Sequence, residues 1–305
     1  MAVTLRQLEY LVAIAETGSL TAAARRCHVS PGGVSIAMDQ LEQSLHVQVA
    51  LRSKARGAKL TPAGTWVAQQ ARRILTDVET LRYAQQRVHG ELVGTLKVGC
   101  YDPLSPWLVP RLVEDFGMLH AALDIELVEA GPTVLQKRLL EGELDACFIH
   151  AAHALRAVTT HHVLPIRLHV VVHADHPLAQ SDSVNLEMLD GEPAVLLGLE
   201  PTREIAESLL RNAGVEPRIR IVSSNVETVR ELVARKAGFS FLMGRPPTDT
   251  FVDNLPLVYL PITDSLPENS VVVAHAPSNI PSPNLQALVD WAGTAFAAAP
   301  AHPTA

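Results

Sequence analysis

The chain has 305 residues, of which 48% are hydrophobic and 19% charged, with a net charge of −7 and three cysteines. That length provides for more than one hydrophobic core, while no apolar run approaches the ~18 residues that span a bilayer. Cys27, Cys100 and Cys147 lack C-x-x-C spacing and exclude a disulfide framework.

The N-terminus passes directly into an amphipathic helix, without the basic and apolar regions of a signal peptide, so the expected location is cytoplasmic, with no membrane partner. Thr4 and Gln7 form a capping-box pattern for that helix, Leu5, Leu8, Val12 and Ala15 form its stripe, and Gly18 stops it. Leu20, Ala23, Ala24 and Cys27 then share a small apolar face, and Ser30 followed by Pro31 starts another helix. On it Val34, Met38 and Leu41 recur at i, i+4 and i+7, which leaves Gly32, Gly33, Ser35, Ile36 and Asp39 outward. Two short helices around a tight turn, brought close by alanines, are the layout of a helix-turn-helix. Residues 48–52 and 58–61 bracket S-K-A-R-G, a basic hairpin tip in the position of a wing. Thr61-Pro62 opens a longer helix in which Val67, Ile74, Leu81 and Val88 repeat every seven residues, with Ala71, Val78 and Gln85 between them. This is an a/d seam suited to pairing two chains.

Three stretches, L-R-Q-L-x-Y-L-V-A-I-A-E-T-G-S-L-T-A-A-A, H-V-S-x-x-x-V-S-x-x-M-x-x-L-E and L-T-P-A-G, resemble the LysR-type transcriptional regulators. The resemblance is close over residues 3–90 and architectural beyond. It implies a winged helix-turn-helix over residues 1–61 and a linker dimerisation helix over 62–90. An α/β effector-binding domain of the type 2 periplasmic-binding-protein kind follows over 91–300, with lobe 1 at 94–163 and 267–298 and lobe 2 at 164–266. The Ala/Pro-rich tail, 299–305, is expected to be disordered. The implied partners are double-stranded DNA, a small-molecule effector bound between the lobes (an organic acid or related metabolite), further copies of the chain as dimer or tetramer, and RNA polymerase if the regulator activates. No catalytic residue, metal or cofactor is expected, since G-x-S-x-G, Walker, G-x-G-x-x-G and H-E-x-x-H patterns are absent from the sequence.

Charge supports that division. Residues 1–90 hold 11 Lys and Arg against 6 Asp and Glu, and the remainder holds 14 against 26, so the acidic total averages a basic head with an acidic body. The second helix of the helix-turn-helix carries no Lys or Arg, a departure from the family pattern. Phosphate contacts are therefore assigned to Arg25, Arg26, Arg52, Lys54, Arg56 and Lys59, and base-edge contacts to Ser35, Ile36 and Gln40. Ser30, Gly32 and Gly33 form an opening turn whose bare backbone can approach DNA closely.

After residue 90 strands and helices alternate. Strand L-K-V-G-C, a helix over 107–120 with Leu108, Leu112, Val113 and Phe116 on one face, a strand at 124–129, a helix at 133–141 and a strand at 146–149 form one block. Strands at 168–173, 194–197, 218–222 and 239–243 with helices at 202–213 and 226–236 form a second, which reads as two parallel-sheet lobes. In the family the last strand and helix, at 270–275 and 285–296, return to the first lobe, so the chain crosses near 163–167 and 261–269. Strand ends and helix N-termini line the cleft of such a fold. They carry Tyr101, Asp102, Leu104, Ser105, Gly131, Pro132 and Thr133 in the first lobe. In the second they carry Leu199, Thr202, Arg203, Ser223, Ser224, Asn225, Gly244 and Arg245. Arg203 or Arg245 is the expected carboxylate partner, whereas Asp102 would repel an anion and keeps a cationic or neutral effector open. Seven of the thirteen histidines lie between His150 and His176, without the compact ligand-bearing turn of a metal site. Cys100, at a strand end and lacking a basic neighbour, reads as core.

Overall fold

The computed structural model describes residues 3–53, 57–81, 91–243, 256–277 and 281–296. The chain forms two compact units, the first built from residues up to Lys97 with His120–Glu126 and Lys137–Asp145, the second from the rest.

In the first unit, α1 (Leu5–Thr17) is closed at its start by the reciprocal Thr4–Gln7 capping box and at its end by Gly18 in the left-handed region, φ 63°. Its buried side is Leu8, Leu11 and Ile14, flanked by Gln7 and Tyr10, while Leu5 is 42% exposed. The stripe is thus rotated from the Leu5–Val12–Ala15 line read in the sequence, because α1 packs against three other helices at once. These are α2 (Leu20–Arg26), α3 (Pro31–Leu45) and α4 (Pro62–Leu81). The α3 start is as expected, with the Ser30 hydroxyl accepting from Gly33 N at 3.1 Å and Val34, Met38 and Leu41 fully buried. Strands β1 (Ala50–Ser53) and β2 (Gly57–Leu60) form the antiparallel hairpin, with Ala50 opposite Leu60. The hydroxyl of Thr61 caps α4 by accepting from Gly64 N at 2.9 Å. A Cβ on Gly64 would lie 1.8 Å from the carbonyl oxygen of Val49, so this approach of helix to hairpin requires glycine.

The heptad reading of α4 needs correction at its first half. Ala71 is 1% exposed and lies with Ala68 in the core of its own chain, where Val67 and Leu75 also pack. Contact with α1 takes up the face of Ala71, whereas Val67 is half-buried. Ile74 and Leu81 are exposed and Val78 is half-buried. Val88 lies outside the described residues.

The remaining elements begin with β3 (Gly94–Tyr101) and α5 (Ser105–Arg111), which continues into a π-helical turn, Leu112–Gly117. Pro110, without an N–H to donate, precedes this wider turn. The register shift leaves Leu108, Leu112 and Phe116 buried but turns Val113 outward, contrary to the single face expected from the sequence. Then come β4 (Leu123–Ala130), α6 (Pro132–Leu140), β5 (Ala146–His150), β6 (Thr159–Ile166) and β7 (Leu168–His173). They are followed by β8 (Pro193–Leu197), α7 (Thr202–Asn212), β9 (Arg218–Ser223), α8 (Val226–Ala234) and β10 (Ser240–Met243). Last are β11 (Leu257–Pro261), β12 (Asn269–His275) and α9 (Pro283–Ala295).

A five-stranded sheet runs β4-β3-β5-β12-β6, so the penultimate strand returns to join the early ones. Its β3–β5 pair is parallel and both β12 pairs are antiparallel. The later strands form the parallel pair β8–β9 and the antiparallel trio β10-β7-β11. Where the sequence suggested two parallel-sheet lobes, the first block's sheet is mixed and the second block holds a parallel pair and a separate antiparallel trio, and β6 and β11 are strands that the sequence reading missed. Among the described residues no helix is long and apolar enough to cross a membrane.

Candidate functional sites

The first site is the outer face of α3. Gly32 and Gly33 are exposed, and a Cβ on Gly32 would meet nothing within 4 Å. Ile36 is 61% exposed, Asp39 and Gln40 are exposed, and Ser35 is half-buried. The side chain of Gln40 accepts from Gln7 Nε2 at 3.5 Å, which ties its position to α1. Arg25 and Lys59 are exposed. Arg26 differs from expectation, since it is ion-paired with Glu16 on α1 and part of its charge is committed inside the chain. Lys54 and Arg56, and the side chain of Arg52, lie outside the described residues. Sequence reading missed Glu42, whose carboxylate accepts from Val49 N at 2.8 Å and Ala50 N at 3.1 Å and so fastens the hairpin to α3. The second fastening is Ala58 N donating to Gly18 O at 3.0 Å. A helix N-terminus without side-chain bulk, flanked by a hairpin held at fixed distance, is a surface that can enter a major groove.

The second site is a pocket between the ends of β3 and β5 on one side and β7, β8, β10, α7 and α8 on the other. The centre of a water molecule can range over about 30 Å³ within it, so it is a small pocket that admits a few waters or a small molecule in their place. Tyr101 hydroxyl and Thr202 Oγ1 are 2.8 Å apart across it, and Thr133 Oγ1 donates to Glu200 O at 3.3 Å. His153 Nε2 lies 3.4 Å from Thr202 Oγ1. Tyr101, His150 and His153 form a ring cluster with centroids 5.1 to 5.3 Å apart. Burial holds both imidazoles neutral, His153 down to about 4 and His150 well below its ordinary value. The Tyr101 phenol is pushed up to about 12, also by burial.

Of the expected cleft residues, Tyr101 and Thr202 line this pocket. The side chain of Leu199 comes within 4.0 Å of a Cβ built on Gly131. Leu104 and Ser105 are buried, and Pro132 opens α6. Asn225 caps α8 by accepting from Thr228 N, and Ser223 accepts from Asn225 N; with Ser224 they form the turn before α8 and do not line the pocket. Arg203 is a correction, because its guanidinium donates to Glu207 at 2.7 Å along α7 instead of facing the pocket. Asp102 is half-buried and its carboxyl is raised by desolvation and then by Glu129, so negative charge sits near the first-lobe loop. Gly244 and Arg245 lie outside the described residues. The sequence reading missed His150 and Arg230, both under 9% exposed, and the apolar walls Ile205, Val226 and Phe241. Period patterns give these residues no mark, since Arg230 reads as the outer partner of Glu227 on a helix and the walls read as core.

Cys100 and Cys147 are buried on the neighbouring strands β3 and β5, and burial pushes each thiol up to about 12. Thiols so protonated are poor nucleophiles.

A DNA-reading helix fastened to a basic hairpin, joined to a body with a polar pocket among apolar walls, defines a ligand-responsive DNA-binding protein. Residues 5–65 match the bacterial regulatory helix-turn-helix protein, lysR family, and residues 89–297 match the LysR substrate binding domain. The chain belongs to the LysR family and is a DNA-binding transcriptional regulator with a C-terminal effector-binding domain. It is 29% identical to a hydrogen peroxide-inducible genes activator of Dickeya chrysanthemi, over 90% of each chain. It is also 29% identical to the regulator BenM of Acinetobacter baylyi, over 85% of this chain and 86% of that one. Among solved structures it resembles a full-length OxyR variant from Pseudomonas aeruginosa, with TM-score 0.74, 27% identity and coverage of 96% and 98%.

Proposed function

We propose that a small molecule seated in the pocket lined by Tyr101, His150 and Thr202 sets how the helix-turn-helix heads engage DNA. The observation that carries this is the Tyr101–Thr202 hydrogen bond, which ties the end of β3 to the start of α7 at the spot where a ligand would insert and separate them. A ligand shifts such an equilibrium only by binding one arrangement better than the other. The head spans residues 1–61, the linker helix 62–90 and the effector domain 91–300 in the lobes given above. Chains pair through the outer face of α4, with Ile74, Val78 and Leu81 in the seam, and two pairs make a tetramer on DNA in the cytoplasm. As an activator it would contact RNA polymerase. An organic acid held by Arg203 loses support from the Arg203–Glu207 pair, which leaves Arg245 as the carboxylate partner for that class.

The test is DNase I footprinting on sites selected from genomic fragments. Ala206→Leu occupies the pocket and is expected to keep DNA affinity within about threefold, under 1 kcal/mol, while changing the length of the footprint. An unchanged footprint would separate the pocket from DNA binding.

A further inference from the structure

The pocket's own chemistry narrows its occupant, on the reading that the effector sits there. His150 is 4% exposed, lines the pocket, and both of its ring nitrogens are buried without a hydrogen-bond partner among the described residues. A neutral imidazole offers one donor and one acceptor, and leaving both unmet in a buried site is costly. Tyr101 and Thr202 add two hydroxyls beside it. The other lining residues are apolar except Arg230, whose charge is taken by an ion pair with Glu227. No acidic residue is among the described lining residues, so an ammonium ion finds no counter-charge there. An anion meets a cation that is already paired with Glu227.

We infer that this pocket takes a small uncharged molecule with a compact apolar body and one hydroxyl head. The hydroxyl pairs with the His150 nitrogen that faces the pocket and completes its bonding with the Tyr101 or Thr202 hydroxyl, and the body lies against Ile205, Val226 and Phe241. A hydroxyl can donate or accept, so it satisfies the His150 nitrogen that faces it in either tautomer.

Calorimetry on the full chain with isobutanol, isobutyrate and isobutylamine compares three heads on one carbon skeleton. Isobutanol is expected to bind at least about tenfold more tightly than either ion, and to lose about tenfold in His150→Phe, the value of one good hydrogen bond. His150→Phe keeps an aromatic ring, somewhat larger, and removes two unmet polar atoms, so its melting temperature should hold to within a few degrees. If that variant fails to fold, Tyr101→Phe provides the second reading, with a smaller loss of isobutanol affinity. Tighter binding of isobutyrate or isobutylamine, no binding of isobutanol, or affinity unchanged in both variants would overturn the inference. The reading beneath it fails separately, if whichever probe binds does so equally in Ala206→Leu.

Discussion

At the residue scale the buried histidines make stability depend on pH in a fixed direction. His153 is 4% exposed and burial lowers its pKa from 6.5 to about 4. The unfolded chain takes up a proton near 6.5 that the folded chain refuses until about 4. The unfolded state therefore binds more protons in that window, and stability is full above 6.5 and falls as pH drops through it. Between pH 6.5 and 5 this single group costs about 2 kcal/mol. His150, His161 and His173 shift in the same direction and add to the slope. Urea unfolding at pH 7 and pH 5 should show a clear loss of stability in the wild type and a loss smaller by about 2 kcal/mol in His153→Phe. Equal losses in the two proteins would mean that His153 titrates as in water.

At the element scale, Arg72 on α4 joins three segments of the first unit. Its guanidinium lies 3.6 Å from Glu16 on α1 and 3.5 Å from Glu143, and it donates to Glu141 O at 2.7 Å. Glu16 also holds Arg26, and Glu143 holds Arg138 at 3.1 Å. The Arg72 side chain is 12% exposed, so the pairs are poorly screened. Arg72→Met keeps most of the stem and abandons two carboxylates, with an expected loss of about 2 to 3 kcal/mol, somewhat below that for a fully buried pair. Thermal unfolding would measure it, and a loss under about 0.5 kcal/mol would place the network among surface pairs. Nothing in the sequence marked this arginine, because its partners are 56 and 71 positions away. The elements that were legible carry their cause within a few residues: Ser30-Pro31 before α3, Thr4 with Gln7 around the start of α1, Thr61 before α4. Strand β6, with two histidines and a proline in eight residues, has no clean alternation and is a strand because β12 pairs with it. The pocket was half legible for the same reason. Tyr101 and Thr202 stand at element ends, where topology points, whereas His150 and Arg230 become pocket residues only through tertiary packing.

At the scale of the whole molecule, charge is divided so that net acidity and DNA binding coexist. Residues 1–90 carry a net +5 and the rest −12, so DNA attracts one part of the chain and repels the other. The recognition helix has no Lys or Arg and two bare glycines in its first turn, which leaves the cations at its edges to supply the phosphate contacts. With Arg26 committed to Glu16, the candidates in each head are Arg25, Arg52, Lys54, Arg56 and Lys59. Two heads neutralising all of these would give a log-log salt slope of up to about −9, since each phosphate contributes about −0.9. A fluorescence-anisotropy titration of the full chain on its selected site, repeated from low to moderate salt, should give a slope steeper than about −4. Lys59→Ala should flatten it by nearly two, once per head, and weaken binding to all sequences alike, because a phosphate contact carries no base information. Ile36→Ala should instead leave the slope in place and change which sites are selected. A slope near zero with full affinity would mean that backbone approach at Gly32 and Gly33, with no help from charge, accounts for binding.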